Sequence, residues 1–197
     1  SSIETEHALV RKAVRSLFGQ VSLGYKEFAY LDATFRNDVS STLSPKNRSY
    51  FYPSVTASVL LSEAFGWRSK AVNYLKIRGG WSQVGADANP YQLATVFTSE
   101  TAFNGNPLQS SSTIGMNSNL KPENTSSIEA GFEAAFWDNR LYLDFTYYKT
   151  DSRNQILKLA TTAASGYTSQ VRNAGHIRNR GYEIQLGAVP IQTSKGF

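Results

Sequence analysis

Residues 123–150 read ENTSSIEAGFEAAFWDNRLYLDFTYYKT, and this stretch decides the fold class. Apolar side chains occupy every second position on both sides of Asp138 and Asn139, which is the period of a β-strand. Asp and Asn tolerate the positive φ angles of a tight hairpin turn. Each arm has about ten residues, close to the length with which a tilted strand crosses a bilayer. The stretch therefore predicts one long β-hairpin and gives the first indication of a membrane barrel.

Five further strands with the same alternation are predicted outside this hairpin. They fall within residues 17–25, 29–36, 51–61, 75–82 and 182–188. In all seven predicted strands, the register that carries the apolar residues contains no charged residue. The charged side chains of the opposite register are Asp32, Arg36, Lys76, Arg78, Glu129, Glu133, Asp144 and Glu183. One face of the sheet is thus predicted to meet a medium that excludes charge.

The predicted connections alternate between short and long. The short ones are Lys26-Glu27, residues 62–70 and Asp138-Asn139, and the long ones are residues 37–49, 85–122 and 155–176. In an antiparallel sheet this alternation places short turns at one end and long loops at the other, as in outer-membrane barrels with short periplasmic turns. Large aromatic residues also gather near both ends of the strands, which is typical of a membrane interface.

The longest connection, residues 85–122, loses the alternation and is predicted to be an irregular loop. It contains aromatic and amide side chains suited to stacking on, and hydrogen bonding to, a sugar or a peptide. The same side chains are equally suited to contacting a protein that closes over the loops. These six candidates are Tyr91, Phe97, Phe103, Asn104, Asn106 and Gln109.

Composition and motifs exclude several classes of function. The chain has no Cys, which excludes a disulfide scaffold and a Cys-based zinc site. Its net charge of +5 comes from scattered Lys and Arg residues, without the clustered footprint of a nucleic-acid-binding protein. There is no HExxH motif, catalytic triad or phosphate-binding glycine loop, and His7 and His176 are predicted to be isolated loop residues. We therefore expect no enzyme activity, catalytic residue, cofactor, metal or nucleic-acid partner.

Alternation alone leaves a second fold open. In a soluble β-sandwich that binds a ligand, the apolar register would face a second sheet and the polar register would face water. The length of the strands and the aromatic residues at their ends favour the all-β, antiparallel transmembrane barrel.

Four phrases carry a resemblance to a known family. They are YFYPSVTASVLLSE at residues 50–63, LKIRGGWSQVGAD at 75–87, NLKPENTSSIEAGFEAAFWDNRLYLDFTYY at 119–148 and NAGHIRNRGYEIQL at 173–186. Together they span most of the chain. They resemble the C-terminal part of the barrel of the SusC/RagA family of TonB-dependent outer-membrane transporters of Bacteroidetes. The last phrase, with Asn173, Gly175, Asn179, Gly181 and Glu183, is the most specific.

The resemblance implies a barrel of roughly 22 strands around an N-terminal plug, in the outer membrane of a Gram-negative bacterium. It also implies uptake of oligosaccharides or peptides, energy delivered by TonB, and a SusD-like surface lipoprotein that closes the extracellular mouth. The eight charged residues of the polar register would face the lumen, and the apolar register would face outer-membrane lipid.

The chain itself accounts for only about seven of those strands. Residues 1–14 lack the apolar core of a signal peptide, and an open sheet would leave two unpaired edges. We therefore expect residues 1–197 to be a partial barrel domain. The plug, the segment that contacts TonB and the last strands of the barrel are expected to lie elsewhere in a longer protein.

Overall fold

A computed structural model of the chain describes residues 9–67, 69 and 71–190, so His7 lies outside the described residues. The described chain is almost entirely β-structure. The strands are β1 (Val14–Tyr25), β2 (Ala29–Ser40), β3 (Ser49–Leu60), β4 (Val72–Ala86), β5 (Phe97–Phe103), β6 (Asn106–Ser111), β7 (Ile114–Gly115), β8 (Glu123–Phe136), β9 (Leu141–Arg153), β10 (Ile156–Ala160), β11 (Ser169–Asn173) and β12 (His176–Ala188). A single turn of helix, α1 (Leu61–Ala64), follows β3, and a 3-10 turn spans Ala163–Ser165. None of the helices among these residues is long and apolar enough to span a membrane.

Seven strands form one antiparallel sheet in the order β1-β2-β3-β4-β8-β9-β12. These are the seven strands that the alternation predicts. Each of them pairs with the next of the seven in chain order. The central hairpin is present as expected, with β8 and β9 paired from Asn124 opposite Arg153 to Phe136 opposite Leu141. The prediction of a portion of an antiparallel barrel is confirmed.

The strands are longer than the alternation predicts. β4 has 15 residues and β8 has 14. β2 continues to Ser40, so residues 37–40 belong to the sheet and not to a loop, because they still pair with β1 and β3. As a result, the connection 41–48 is shorter than the connection 61–71, and the predicted contrast in length is wrong for this pair. Successive connections still lie at alternate ends of the sheet, because consecutive strands are antiparallel.

The sequence predicts that the two longest connections are loops without strands. The structure shows that both contain strands. Within residues 87–122, β5 and β6 form a hairpin that projects from the main sheet. Its turn is Asn104-Gly105, with φ angles of 49° and 77°, a pair that favours tight hairpins. Within residues 154–175, β10 and β11 pair with each other. β11 also pairs with β7 of the β4–β8 connection, and the three strands form a separate sheet.

The central residues of the tight turns have left-handed backbone. Lys26 and Glu27 have φ angles of 46° and 59°. At the β8–β9 turn, Asp138 and Asn139 adopt φ angles of 54° and 65°, as expected, but Trp137 is also left-handed at 51°. The turn therefore spans residues 137–140 and is closed by the amide of Arg140, which donates to the carbonyl oxygen of Trp137 at 3.2 Å.

The apolar face of the seven-stranded sheet is bare. On its central strands, Val55 is 42% exposed, Ile77 is 44% exposed and Ile128 is 49% exposed. A second sheet packed on this face would bury these side chains, because facing sheets interdigitate. No such layer exists among the described residues, so the β-sandwich alternative is wrong.

Aromatic rings on this face stack across neighbouring strands. Phe145 lies between Phe132, at 5.5 Å between ring centroids, and Tyr182, at 6.0 Å. Tyr147 is 5.3 Å from Tyr182. Three aromatics near the loop end, Tyr50, Tyr52 and Tyr148, lie in the polar register. The outward aromatics at that end include Phe51, Trp81, Tyr147 and Tyr182.

The absence of charge from the apolar register holds only as far as those aromatics. Beyond Tyr147 and Tyr182, the same register continues into charged residues: Lys149, Asp151 and Arg153 on β9, and Arg178 and Arg180 on β12. A charge in the hydrocarbon of a bilayer is costly, whereas near its surface the cost falls towards zero. The strands are therefore longer than the apolar band, and their last residues project past it.

A charge placed on the bare face tests this assignment. Phe145→Arg is expected to lower the free energy of unfolding of the complete gene product by about 2–4 kcal/mol, because the new charge faces hydrocarbon. Gln185→Arg is the matched control, since Gln185 lies on β12 opposite Asp144 in the polar register. Urea titration followed by heat-modifiable gel mobility measures both, and equal losses would contradict the assignment of faces.

Candidate functional site

The structure places all eight charged residues of the polar register on the same face of the sheet. The cross-strand pairs show this directly: Asp32 lies opposite Thr56, Lys76 opposite Glu133, and Glu133 opposite Asp144. A groove on this face is lined by members of the set, including Asp32, Arg78, Glu129 and Glu183. The polar face is therefore a continuous, charged surface.

Arg78 is the centre of an ion-pair cluster on this face. Its Nη1 donates to Oε1 of Glu133, and its Nη2 donates to Oδ1 of Asp144 at 2.8 Å and to Oγ1 of Thr146 at 2.7 Å. Lys76 Nζ is 3.2 Å from the same Glu133 oxygen. Glu133 and Asp144 are direct cross-strand neighbours and would repel each other without these cations. The cluster thus holds two carboxylates together at low net charge.

A glycine allows Arg78 to reach across a whole strand. Arg78 on β4 lies opposite Gly131 on β8, which in turn lies opposite Thr146 on β9. A Cβ atom at Gly131 would lie 2.5 Å from the carbonyl oxygen of Phe145 and 3.1 Å from Oγ1 of Thr146. Because Gly131 has no side chain, the two strands approach closely and the guanidinium passes over the gap.

The remaining charged residues of the polar face have different environments. Arg36 Nε lies 2.7 Å from Asp38, and its Nη2 donates to Ser16. Asp32 accepts a hydrogen bond from Ser22 Oγ at 2.5 Å. Glu129 and Glu183 make no ion pair with any described residue. The described chain also has no group of acidic, His or Cys side chains suited to holding a metal ion.

The buried cluster of packed apolar residues lies in the loops and not on the sheet. Its members are Leu43, Ala88, Leu120 and Val171, each at most 4% exposed. Leu43 belongs to the β2–β3 connection, Ala88 and Leu120 to the β4–β8 connection, and Val171 to the β9–β12 connection. The β2–β3, β4–β8 and β9–β12 connections therefore pack on one another and form a loop layer at one end of the sheet.

Side-chain amides tie the loop layer together through its backbone. Asn173 Oδ1 accepts from the amide of Lys121 at 2.8 Å, and its Nδ2 donates to the carbonyl oxygens of Lys121 and Asn154 at 2.7 and 2.8 Å. Asn47 Nδ2 donates to the carbonyl oxygen of Leu120 at 3.0 Å. Asn173 thus satisfies three backbone groups at once. The sequence singles out Asn173 only as part of the family phrase at residues 173–186 and does not predict these contacts.

Asp87 joins the start of the chain to the loop layer. Its Oδ1 accepts from Lys12 Nζ at 2.6 Å and its Oδ2 from Ser40 Oγ at 2.5 Å. Ser40 is fully buried, and the Asp87 side chain is 12% exposed. Burial alone raises the pKa of the Asp87 carboxyl, but Lys12 and Ser40 outweigh it, and the net shift of the pKa is downward.

The six candidate contact residues are only partly brought together. Five of them lie on the β5–β6 hairpin: Phe97, Phe103, Asn104, Asn106 and Gln109. Phe103, Asn104 and Asn106 share its tip, and Phe97 and Phe103 are 68% and 67% exposed. Tyr91 lies apart, and its hydroxyl accepts from the backbone amide of Arg11 at 3.1 Å. The hairpin is not among the strands predicted from the sequence, although Asn104-Gly105 is a recognised hairpin signal.

Comparison with known proteins finds relatives along almost the whole chain. Residues 7–193 match the family model described as "TonB dependent receptor-like, beta-barrel". TonB-dependent receptor P26 of Formosa agariphila is 30% identical over 185 residues, which cover 91% of this chain and 19% of that protein. TonB-dependent receptor SusC of Bacteroides thetaiotaomicron is 28% identical over 202 residues, 93% of this chain and 19% of that protein. The chain thus spans about a fifth of the length of these relatives.

Solved structures with a similar fold also cover most of the chain. The RagAB peptide transporter superposes with a TM-score of 0.84 at 24% identity, over 93% of this chain and 20% of that one. The siderophore receptor PirA from Pseudomonas aeruginosa superposes with a TM-score of 0.59 at 18% identity, over 88% of this chain and 30% of that one. At these identities the likeness shows the shared barrel fold.

The Arg78 cluster predicts a specific pattern of stabilities. Arg78→Gln is expected to cost about 1–2 kcal/mol in unfolding free energy, because Asp144 then lies beside Glu133 without its Arg78 ion pair and Glu133 keeps only Lys76. The triple variant Arg78→Gln/Glu133→Gln/Asp144→Asn removes the repulsion and is expected to lie closer to wild type. A triple variant less stable than Arg78→Gln would contradict this account.

The Asp87 contacts predict a local change in backbone protection. Asp87→Asn is expected to speed amide hydrogen exchange in the segments that contain Lys12 and Ser40. Because the folded pKa of Asp87 is lowered, protection in the wild type should persist at neutral pH and below the ordinary carboxyl pKa, and be lost only as pH falls through the lowered value.

Glu100→Gln is the matched control for that experiment, because Glu100 accepts from Ser110 within the hairpin alone. It should change exchange only in β5 and β6. If Asp87→Asn leaves exchange around Lys12 and Ser40 unchanged, the proposed contact between the start of the chain and the loop layer is wrong.

Proposed function

Because the chain belongs to the β-barrel family of TonB-dependent receptors, we propose that it forms part of the wall and extracellular loop layer of an outer-membrane importer of the SusC/RagA type. The bare apolar face carries this proposal, since exposed Val55, Ile77 and Ile128 need a hydrocarbon partner. The loop layer at one end supports extracellular orientation, because long loops lie outside in bacterial barrels.

The seven-stranded sheet is one sector of a larger barrel. β1 and β12 form its two edges in the described chain. Hydrocarbon does not tolerate unpaired backbone groups, so we assign each edge a neighbouring strand from the rest of a longer protein. Residues 1–197 are accordingly a partial barrel domain. The plug and the segment that contacts TonB belong to the remainder of that protein.

The polar face lines the lumen of this barrel. Glu129 and Glu183, which have no ion-pair partner in the described chain, are available to the plug, to water or to passing cargo. The Arg78 cluster has the opposite role, because its charges are already paired with Glu133 and Asp144. It stiffens the wall and contributes little net field to the lumen. In this function the chain transports and does not catalyse.

The β5–β6 hairpin meets the lid protein or the cargo. Phe97, Phe103 and Leu108 expose apolar surface on the hairpin, at 68%, 67% and 46%. Clustered exposed apolar side chains mark contact sites on soluble surfaces. The partner is a SusD-like surface lipoprotein, and the cargo is an oligosaccharide or a peptide. A peptide is supported by the similarity to the RagAB peptide transporter, and an oligosaccharide is what the resemblance to the SusC/RagA family implies as the alternative.

Fractionation of the complete gene product tests the placement in the outer membrane. We expect recovery with outer membranes and a gel mobility that changes on heating, as a closed barrel gives. Recovery as a soluble periplasmic monomer would overturn the proposal.

Substitution of the hairpin aromatics tests the contact role. Phe97→Ser/Phe103→Ser is expected to weaken co-purification of the surface lipoprotein, or uptake of cargo, by at least about tenfold, given the apolar area lost. Leu157→Ser/Leu159→Ser on β10 is the matched control, since both residues are exposed in the same layer but lie on another sheet. Loss in the control and not in the hairpin variant would contradict the role of the hairpin. Heat-modifiable mobility shows whether each variant still forms its barrel.

A further inference from the structure

The outward face of β9 and β12 carries a strip of cations just beyond the apolar band. The outer cationic strip comprises Lys149, Arg153, Arg178 and Arg180, with Asp151 and His176 among them. Lys149 lies opposite Arg180, Asp151 opposite Arg178, and Arg153 opposite His176. These three rows belong to the register that carries Phe145, Tyr147 and Tyr182 nearer the middle of the sheet.

The height of the strip follows from the register. The row of Lys149 and Arg180 comes directly after the row of Tyr147 and Tyr182. Alternate residues of a strand are about 7 Å apart along its axis. Tyrosine rings favour the boundary between hydrocarbon and headgroups. The strip therefore lies at the level of the headgroups, at the loop end of the sheet.

The strip has a surplus of positive charge. Asp151 Oδ1 is 2.9 Å from Arg178 Nε and 2.7 Å from His176 Nε2, and its Oδ2 is 3.6 Å from Lys149 Nζ. Arg153 and Arg180 make no ion pair with any described residue, and both are exposed. One carboxylate thus faces four permanent cations, two of which have guanidinium groups available to a ligand.

The charge is directed outward and not simply concentrated at the end of the strands. At the same height, the opposite register of β9 and β12 contains Thr150, Ser152, Ile177 and Asn179, none of which is charged. Thr150 and Ser152 hydrogen-bond to hydroxyls on β8. A loop end that merely needed solubility would not place its cations on one face. The segregation indicates a ligand on the lipid side.

We propose that the outer cationic strip binds the phosphate groups of a phosphorylated glycolipid in the outer leaflet, of the lipid A type. Guanidinium groups bind phosphate through paired hydrogen bonds, and a strip continuous with the lipid-facing apolar band meets the sugar phosphates where the acyl chains end. This inference rests on the membrane-spanning wall proposed for the sheet. An acidic surface of another protein has no comparable reason to lie at the junction of the apolar band and the headgroups.

Native mass spectrometry of the complete gene product in detergent tests the inference, with two added probes. These are phosphorylated lipid A and the same lipid A after removal of its phosphates. The wild type is expected to retain the phosphorylated form, and Arg153→Gln/Arg180→Gln to retain it roughly tenfold more weakly. Neither substitution breaks an ion pair among the described residues. Arg180→Lys, which keeps the charge but loses the paired hydrogen bonds, is expected to retain the phosphorylated form at a level between those of the wild type and the double variant.

The matched control is Lys158→Gln/Arg172→Gln, which removes the same charge from exposed positions on β10 and β11. It should leave lipid retention unchanged. The inference is overturned if both lipid forms are retained equally, or if the strip variant retains the phosphorylated form as well as the wild type does. It is also overturned if millimolar inorganic phosphate alone displaces the lipid, or if the strip variant keeps the lipid and loses an acidic protein partner. Heat-modifiable mobility, measured on the same samples, separates these results from failure of the barrel itself.

Discussion

A backbone amide or carbonyl that lacks a partner in hydrocarbon costs several kcal/mol, and this constraint shapes the whole sheet. The seven strands that form the bare apolar face pair with one another in chain order. The inserted strands β5–β7, β10 and β11 do not interrupt this ladder, because they leave the main sheet at its loop end. β4 therefore pairs directly with β8, and β9 with β12. Elaboration of the protein is confined to the region where water can satisfy the backbone.

The same constraint inverts the usual location of the core. In a globular β-protein the apolar face of the sheet is the core, whereas here that face is exposed to its surroundings. The buried cluster of Leu43, Ala88, Leu120 and Val171 lies in the loop layer. Under the proposed placement, lipid covers the wall and protein covers the interior of the loops, so two media stabilise two parts of one chain. The backbone contacts of Asn173 belong to the second part, where three connections must agree on one arrangement.

Local patterns in the sequence predict the wall well, because strand alternation is local. The positions of Phe132 and Glu133 on opposite faces follow from the two-residue period alone. The loop layer is different, since the packing of Leu43 on Leu120 and Val171 joins residues far apart in the chain and leaves no periodic signal. The charged rows beyond Tyr147 show a third case. Alternation continues through them, but the sequence period contains no information on where the apolar band ends, so an uncharged register is a valid prediction only within that band. Asn104-Gly105 is a hairpin signal, but the polar residues around it show no strand alternation.

One feature of the loop layer bears on how such proteins diversify. None of the buried cluster, nor of the described residues packed against it, lies between 97 and 111. The β5–β6 hairpin therefore contributes no residue to the buried cluster of the loop layer. Under the contact role proposed for the hairpin, selection for folding acts on the wall and the loop layer, while selection for recognition acts on the hairpin. The two pressures then fall on separate residues. A lineage with this arrangement can drift rapidly in what it binds while its barrel stays the same.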